Sequence, residues 1–208
     1  MNLKNFIVTN FVSAAFKNLV LVLSLFSCSI SFAQSIVINE VSQGSSGNQE
    51  YVEFLVTGPT LVNCTDTPPC IDLRGYIFDD NNGFLNGFPT TGVGIAAGAC
   101  RFSNDPFWAC IPAGTLIVIY NDADPNTSLA PQDLTMADGN CMINVPVSSA
   151  LFEKHTTLPS SANSSYSVGG WVAGGSWTNI SMANAADGFQ IYAPTNTTTP
   201  VFSIGWGP

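Results

Sequence analysis

Charged side chains are scarce in this 208-residue chain, and basic ones are the scarcest. Lys and Arg number five against 14 Asp and Glu, and the formal net charge is −9. A surface of this sign repels the phosphates of nucleic acids and the headgroups of anionic lipids, so no nucleic-acid partner is expected. The low charged fraction (9%), with abundant Gly, Ser, Thr and Asn, indicates an exported β protein rather than a disordered chain.

Histidine is nearly absent, and no CxxC spacing occurs. Zinc sites draw on Cys and His ligands, so His155, which has no histidine neighbour, does not predict one. His155 would also have to be the base of any Ser-His-Asp triad, yet residues 152–157 lack the glycine pattern of a nucleophile elbow. We therefore interpret His155 as a surface-loop residue, and we do not expect the chain to be an enzyme by itself.

Long apolar runs are missing as well. The apolar segment 19–26 is shorter than the roughly 20 residues that a membrane span needs. It follows Lys4 and Lys17 and precedes Ser31-Phe32-Ala33, which carries small residues at both positions that signal peptidase recognises. The pattern predicts a signal peptide over residues 1–33, and no membrane span after its removal.

Lipidation at Cys28 is an alternative to this cleavage. The small Ser27 before the cysteine fits a lipidation site, whereas the bulky Phe26 does not. In either case the chain would be secreted or held at the cell surface.

Cleavage before Gln34 leaves one domain, residues 34–208, whose 175 residues are a normal size for a single β domain. This domain has three basic residues (Arg74, Arg101 and Lys154) and 14 acidic ones, which gives a net charge of −11. Because the chain halts just after a strand-like segment, we expect the natural protein to continue past Pro208.

Five cysteines follow the predicted cleavage point, and in an exported chain they predict disulfides rather than metal ligands. Two local pairs are expected, Cys64 with Cys70 and Cys100 with Cys110, because both intervening segments carry proline and turn residues. Cys141 is then left over, either free or paired outside this chain.

Apolar and polar residues alternate with a period of two in two neighbouring segments, 36–41 and 50–55. This period is the signature of β-strands. Residues 44–48 between them are Gly, Ser and Asn, which form turns. We predict a β-hairpin here, or two strands joined across a sandwich.

Further strand-like segments follow, with almost no helical pattern. Residues 115–120 have no polar alternation after Thr115, which predicts a central strand buried on both faces. Residues 127–170 predict a long irregular insertion with a helical turn near 148–154, beginning at a serine cap. The other predicted strands are 71–80 with a bulge at Gly75, 91–95, 99–102, 176–180, 188–192 and 201–206. The spacing predicts an all-β sandwich or barrel.

Five segments in this order resemble the lamin-tail domain, a family found in nuclear lamins and in many secreted bacterial proteins. They are Ile38-Asn39-Glu40-Val41, Tyr51-Val52-Glu53-Phe54, Asp72-Leu73-Arg74-Gly75-Tyr76 through Asp79, Pro112-Ala113-Gly114 with the apolar run to Ile119, and Asp187-Gly188-Phe189-Gln190-Ile191-Tyr192. Insertions around 84–110 and 127–175 are longer than the family's usual spacing, and five cysteines are unusual for it.

The resemblance implies an immunoglobulin-like β-sandwich, to which this chain adds long loop insertions, and the function of a non-catalytic binding or adhesion module. Its partner would be a protein or glycan ligand at the cell surface. Secreted bacterial members look like modules beside enzymes such as nucleases, or ahead of a sorting domain in gliding Bacteroidetes-type bacteria. The alternative is therefore an accessory domain of a larger secreted hydrolase whose catalytic part lies beyond Pro208.

Calcium is the ion that the acidic turns favour, and no other cofactor is expected. Asp122, Asp124 and Asn126 place oxygen side chains at alternate positions, as the start of a calcium loop does, but Thr127 stands where an EF-hand has glycine. Asp79-Asp80-Asn81-Asn82 is a second acidic turn. Asp and Asn are also ordinary turn formers, so both interpretations stay open.

Aromatic residues offer a second kind of site. Phe107 and Trp108, and also Trp171 and Trp177 between glycine-rich flanks, are candidates for stacking on sugar rings, against the alternative of core packing. Glu40 and Glu53 on adjacent strands form a candidate carboxylate pair of the glycosidase kind, but the resemblance makes them features of the fold.

Overall fold

The computed structural model describes residues 34–46, 48–58, 69–80, 84–85, 88–89, 98–156, 166, 168–182, 187–196 and 199–206. These residues lie in one compact unit, Ala33–Pro208. The predicted signal peptide, the predicted strand over 91–95 and Cys64 lie outside the described residues.

Strands dominate the described residues, and the helical elements are two short 3-10 helices. The strands are β1 (Ile36–Ser42), β2 (Tyr51–Val56), β3 (Cys70–Ile71), β4 (Ile77–Asp79), β5 (Phe84–Leu85), β6 (Phe88–Pro89), β7 (Ala99–Phe102), β8 (Ile111–Pro112), β9 (Leu116–Tyr120), β10 (Met142–Pro146), β11 (Phe152–His155), β12 (Val172–Ala173), β13 (Asp187–Tyr192) and β14 (Phe202–Trp206). The 3-10 helices are Pro106–Ala109 and Trp177–Asn179.

Two large sheets carry most of these strands. One has four strands in the order β1-β2-β9-β10, and the other has six in the order β12-β11-β7-β4-β13-β14. Two small ladders, β3-β8 and β5-β6, complete the pairings. Neighbours within the sheets are antiparallel except β9 and β10, which are parallel.

The predicted opening hairpin is confirmed. β1 pairs with β2 antiparallel from Ile36↔Val56 to Ser42↔Tyr51, with a register shift between Ile38 and Glu40. Even-numbered positions of β2 are buried and odd-numbered positions are half-buried, as the period of two requires. The turn places Gly44 at φ +65°, a conformation that glycine adopts without steric penalty.

An aromatic cluster joins the two sheets into a sandwich. Phe54 of the four-stranded sheet packs on Phe78, Phe102 and Phe189 of the six-stranded sheet, with ring centroids 5.8, 6.2 and 6.1 Å apart. Tilted and edge-on rings at these distances are favourable packing arrangements. The chain is therefore an all-β sandwich, as the sequence predicts.

The central strand is confirmed, and a neighbouring strand was missed. Residues 117–119 of β9 are buried, and β9 lies between β2 and β10. The segment 127–170, predicted to be irregular, contains β10 and β11. β10 is held by parallel pairing with β9, which is distant in sequence, so the local residue pattern did not reveal it as a strand.

Three local predictions are wrong. The predicted helical turn near 148–154 is instead a turn over 148–151 followed by β11. Residues 152–155 are extended because β11 pairs with β7 in antiparallel fashion, from Phe152↔Phe102 to His155↔Ala99. Trp177–Asn179 is a 3-10 helix rather than a strand. The segment 71–80 is not one bulged strand: Gly75 has φ +78° and turns the chain between β3 and β4.

Both predicted disulfide pairings are wrong. Cys70 is bonded to Cys110, because the antiparallel β3-β8 ladder aligns Cys70 with Pro112 and Ile71 with Ile111. Cys100 instead lies buried on β7 as a free thiol, whose Sγ contacts the Ser176 carbonyl oxygen at 3.8 Å. Cys141 is a free, exposed cysteine.

A glycine before β7 permits a close approach of two segments. Gly98 has φ +109°, and a Cβ atom there would collide with the Asn179 side-chain amide and the His155 carbonyl oxygen. We expect Gly98→Ala to lower the free energy of unfolding by about 2 kcal/mol, measured by urea denaturation.

The matched control for this change is Gly114→Ala. Gly114 has φ +95° but no atom within 4 Å of an added Cβ, so only backbone strain of about 1 kcal/mol is expected. Equal losses in the two variants would show that the close approach at Gly98 does not matter.

Among the residues that the structure describes, no helix has the length and the apolar character that a membrane span requires.

Candidate functional site

A cleft of about 400 Å³ opens at one end of the four-stranded sheet. Tyr51, Tyr120 and Pro146 are aligned across β2, β9 and β10, so the start of β2 and the ends of β9 and β10 meet at this edge. Four segments line the cleft: 48–50, 121–123, 147–148 and 175–181. Loops gathered at the end of a sandwich are a usual location for binding sites.

Glu50 is the buried acid of this cleft. It is 2% exposed, and its carboxylate accepts a hydrogen bond from Trp177 Nε1. Burial raises the pKa of Glu50, and the nearby charge of Asp187 adds to the increase, while hydrogen bonds from the Trp177 indole and the Met182 backbone oppose it. Glu50 is therefore held in place and poorly solvated.

The rim of the cleft is polar and exposed. Ser148 Oγ donates to Asp122 Oδ2 at 2.6 Å, which links the end of β10 to the loop after β9. The Ser176 and Thr178 hydroxyls hydrogen-bond each other at 2.8 Å. The described residues that line the cleft are Asn48, Glu50, Asn121, Asp122, Ala123, Val147, Ser148, Gly175, Ser176, Trp177, Thr178 and Ser181.

Eight of the twelve described lining residues carry carboxylate, hydroxyl or amide groups, and the others, with the side-chain carbons, add apolar surface. Of the described residues that line the cleft, two are acidic and none is basic. Carboxylates only accept hydrogen bonds when ionised, whereas hydroxyls and amides also donate. The arrangement therefore suits a polar ligand that is rich in hydrogen-bond donors.

A smaller cavity of about 180 Å³ lies elsewhere and contains both arginines of the chain, Arg74 and Arg101. Both are already paired: Arg74 with Asp72 at 2.5 Å, and Arg101 Nε with Glu153 at 2.5 Å. The Arg101 guanidinium also lies 4.5 Å from the ring centroid of Trp171. Because both arginines are already paired with carboxylates, the smaller cavity is a weaker candidate for a ligand-binding site than the cleft.

The side chains predicted to bind calcium hydrogen-bond to different segments. Asp122 accepts from Ser148, and Asp124 accepts from Ser46 Oγ at 3.5 Å. Asn126 Nδ2 donates to the Gln49 carbonyl oxygen at 3.4 Å, and Asn126 Oδ1 accepts a hydrogen bond from the Ser128 backbone N–H. Over the described ranges, no group of three or more His, Cys, Asp or Glu is arranged to hold a metal ion. Calcium binding by this triad stays a prediction.

The proposed stacking role of Trp108 is wrong. Trp108 has no exposed surface, and its Nε1 donates to the Leu151 carbonyl oxygen at 2.7 Å. Phe107 is half-buried against the same core, 4.7 Å from the Trp108 ring. Trp171 packs on Arg101 and on His155. Of the three tryptophans that were predicted to stack on sugars, Trp177 lines the cleft.

Glu40 and Glu53 are aligned on β1 and β2, but neither lines the cleft. Tyr51 Oη donates to Glu40 at 2.6 Å, and Asn39 Nδ2 donates to Glu53 at 2.5 Å. These contacts give both residues a role in the β-hairpin. His155 lies half-buried on β11 rather than in a surface loop.

The second predicted acidic turn begins with buried acids. Asp79 and Asp80 have no exposed surface, because β4 lies inside the six-stranded sheet. Tyr166 Oη donates to Asp79 Oδ2, while Asp79 Oδ1 is buried with no hydrogen-bond partner among the described residues. Burial raises the pKa of Asp79 to about 7, and the charge of Asp187 contributes to the increase.

Glu50 was missed as a site residue, although a signal for it was present. The alternation that buries Val52, Phe54 and Val56 also places Glu50 on the inner side of β2. Trp177 was named as a sugar-stacking candidate and does line the cleft, but its hydrogen bond to Glu50 comes from a 3-10 helix that is distant in sequence.

Comparisons of the chain with protein-family models, with curated proteins and with solved structures found no match.

Proposed function

We propose that the protein is a non-catalytic extracellular or cell-surface binding module, and that its ligand is a glycan bound in the cleft beside Glu50. The observation that carries this proposal is the cleft itself, which gathers polar side chains from several loops at one end of the sandwich. The resemblance to secreted lamin-tail domains supports the same role.

Export is the second part of the proposal. The predicted signal peptide over residues 1–33 and the disulfide between Cys70 and Cys110 both favour an oxidising compartment. The excess of acidic residues keeps such a protein soluble and gives no preference for nucleic acids.

A binding role is favoured over catalysis by the chemistry of the lining. Within the described residues, neither histidine nor cysteine lines the cleft, so its serines have no nearby imidazole base. Glu50 accepts hydrogen bonds from the Trp177 indole and the Met182 backbone, which hold it as a fixed acceptor.

The test is to block the cleft and measure binding to immobilised glycans. Ser148 is an exposed lining residue, so Ser148→Trp places a large ring in the cleft. We expect the exported protein to bind at least one glycan on an array, and Ser148→Trp to weaken that binding by about tenfold or more.

Ala150→Trp is the matched control. Ala150 is exposed in the same turn but does not line the cleft, so its replacement should leave binding unchanged. Binding that survives Ser148→Trp, or an array with no bound glycan, would contradict the proposal.

A further inference from the structure

The cleft has the composition of a site for a positively charged ligand. Among the described residues that line it, the two ionisable ones, Glu50 and Asp122, are both acids. Asp187 lies near enough to act on Glu50 electrostatically, and Asp122 acts in the same way on Tyr120 at the end of β9. Because no described lining residue is basic, the negative charge of the cleft is not balanced within its lining.

The burial of Glu50 strengthens this preference. A carboxylate that is 2% exposed gains little from water, and an ion pair is stronger where water is excluded. The Trp177 indole and the Met182 backbone bond to Glu50 but bring no positive charge. A cationic group entering the cleft would supply the missing counter-charge.

The hydroxyl groups of the lining residues indicate the chemistry of the rest of the ligand. Four lining residues, Ser148, Ser176, Thr178 and Ser181, carry hydroxyl groups, and Asn48 and Asn121 carry amides. Such groups both donate and accept, and so match the hydroxyls of a sugar ring. The volume of about 400 Å³ lies within the usual range for small-molecule sites and exceeds what one ammonium group needs.

We infer that the cleft binds an amino sugar, with its ammonium group directed to the Glu50 and Asp122 carboxylates and its hydroxyls to the serine and threonine rim. This inference rests on the proposed function and specifies its ligand class. Direct charge-assisted hydrogen bonds from an ammonium group to carboxylates would provide the selectivity.

The test compares three tetrasaccharides that differ in their nitrogen chemistry: tetraglucosamine, its fully N-acetylated form and the neutral glucose tetramer. Binding to the exported protein is measured by calorimetry at about pH 6, where the amines are protonated. We expect tetraglucosamine to bind about tenfold more tightly than either neutral tetramer, and its affinity to fall as salt rises.

Two substitutions test the carboxylates separately. Asp122→Asn should weaken tetraglucosamine binding by about tenfold and remove most of its preference over the neutral tetramers. Glu50→Gln should do the same, and its folding is checked by circular dichroism. Asp138→Asn, which removes an equal charge outside the cleft lining, should change nothing.

The outcomes separate this inference from the proposed function. Equal affinity for all three tetramers, or full selectivity in Asp122→Asn, would overturn the amino-sugar assignment while the cleft remains a glycan site. If no tetramer binds but array binding is still lost in Ser148→Trp, the ligand class is wrong and the proposed function stands. If array binding is also absent, both fail.

Discussion

Replacing both Cys70 and Cys110 with serine is expected to lower the free energy of unfolding by about 4 kcal/mol. The disulfide links residues 40 positions apart, so it restricts a long loop in the unfolded chain. It also fastens the two-residue strands β3 and β8, which have few hydrogen bonds of their own. Urea denaturation of the oxidised protein and of the double variant measures the loss.

The other cysteines provide the controls. Cys141 is exposed and free, so Cys141→Ser should change stability by less than about 0.5 kcal/mol. Peptide mapping without reduction should recover Cys70 joined to Cys110. A peptide joining Cys100 to Cys110 would contradict the structure, because Cys100 is buried on β7.

Asp79→Asn is expected to stabilise the protein by about 2–3 kcal/mol at pH 8. The Asp79 carboxyl is fully buried, and the charge of Asp187 raises its pKa further. An amide keeps the acceptor for the Tyr166 hydroxyl and offers an N–H group to the Asp80 side chain, but carries no charge. Thermal unfolding should show a rise in Tm of several degrees.

The pH dependence of this effect follows from the direction of the pKa shift. The pKa of Asp79 rises from 3.8 to about 7, so the folded state holds its proton more tightly than the unfolded state does. Its contribution to stability is fully present below about pH 3.8 and is lost as pH rises through about 7. The advantage of Asp79→Asn should therefore grow from pH 4 to pH 7 and then level off.

Asp138→Asn serves as the control here too, because Asp138 is exposed and should gain nothing at pH 8. A lower Tm for Asp79→Asn at pH 8, or an effect of equal size at pH 4 and pH 8, would show that Asp79 is not a buried acid with a raised pKa.

Local patterns predicted the parts of the fold that local forces determine. The hairpin of β1 and β2, the apolar β9 and the late strands β13 and β14 each contain enough alternation or apolar character to be recognised. The parallel partner β10 and the strand β11 depend on pairing with distant strands. A single sequence carries little information on such pairings.

The predictions of the disulfide pairings and of the acidic turn failed for the same reason. Short spacing favoured bonds within loops, but the β3-β8 ladder brings Cys70 to Cys110 and leaves Cys100 in the core. Asp79 and Asp80 have the composition of a turn, yet the six-stranded sheet buries them. Composition alone does not distinguish a solvated acidic turn from a buried acidic pair.

The candidate site was only partly within reach of the sequence. Asp122 was singled out, though as a calcium ligand with Asp124 and Asn126, and the structure places it in the cleft with Ser148. Glu50 could have been identified from the alternation of buried positions in β2. Trp177 was named as an aromatic candidate, but its hydrogen bond to Glu50 depends on the fold. Of the aromatic residues predicted to stack on sugars, Trp108 is buried in the core and Trp177 lines the cleft.

The most direct test of the account is an NMR titration of the ¹⁵N-labelled protein with tetraglucosamine. The cleft predicts shifts that concentrate on residues 48–50, 121–123, 147–148 and 175–181, including the Trp177 indole N–H. Shifts centred on Arg74 and Arg101, or a spectrum unchanged at millimolar tetraglucosamine, would contradict the claim that the cleft beside Glu50 is the amino-sugar site.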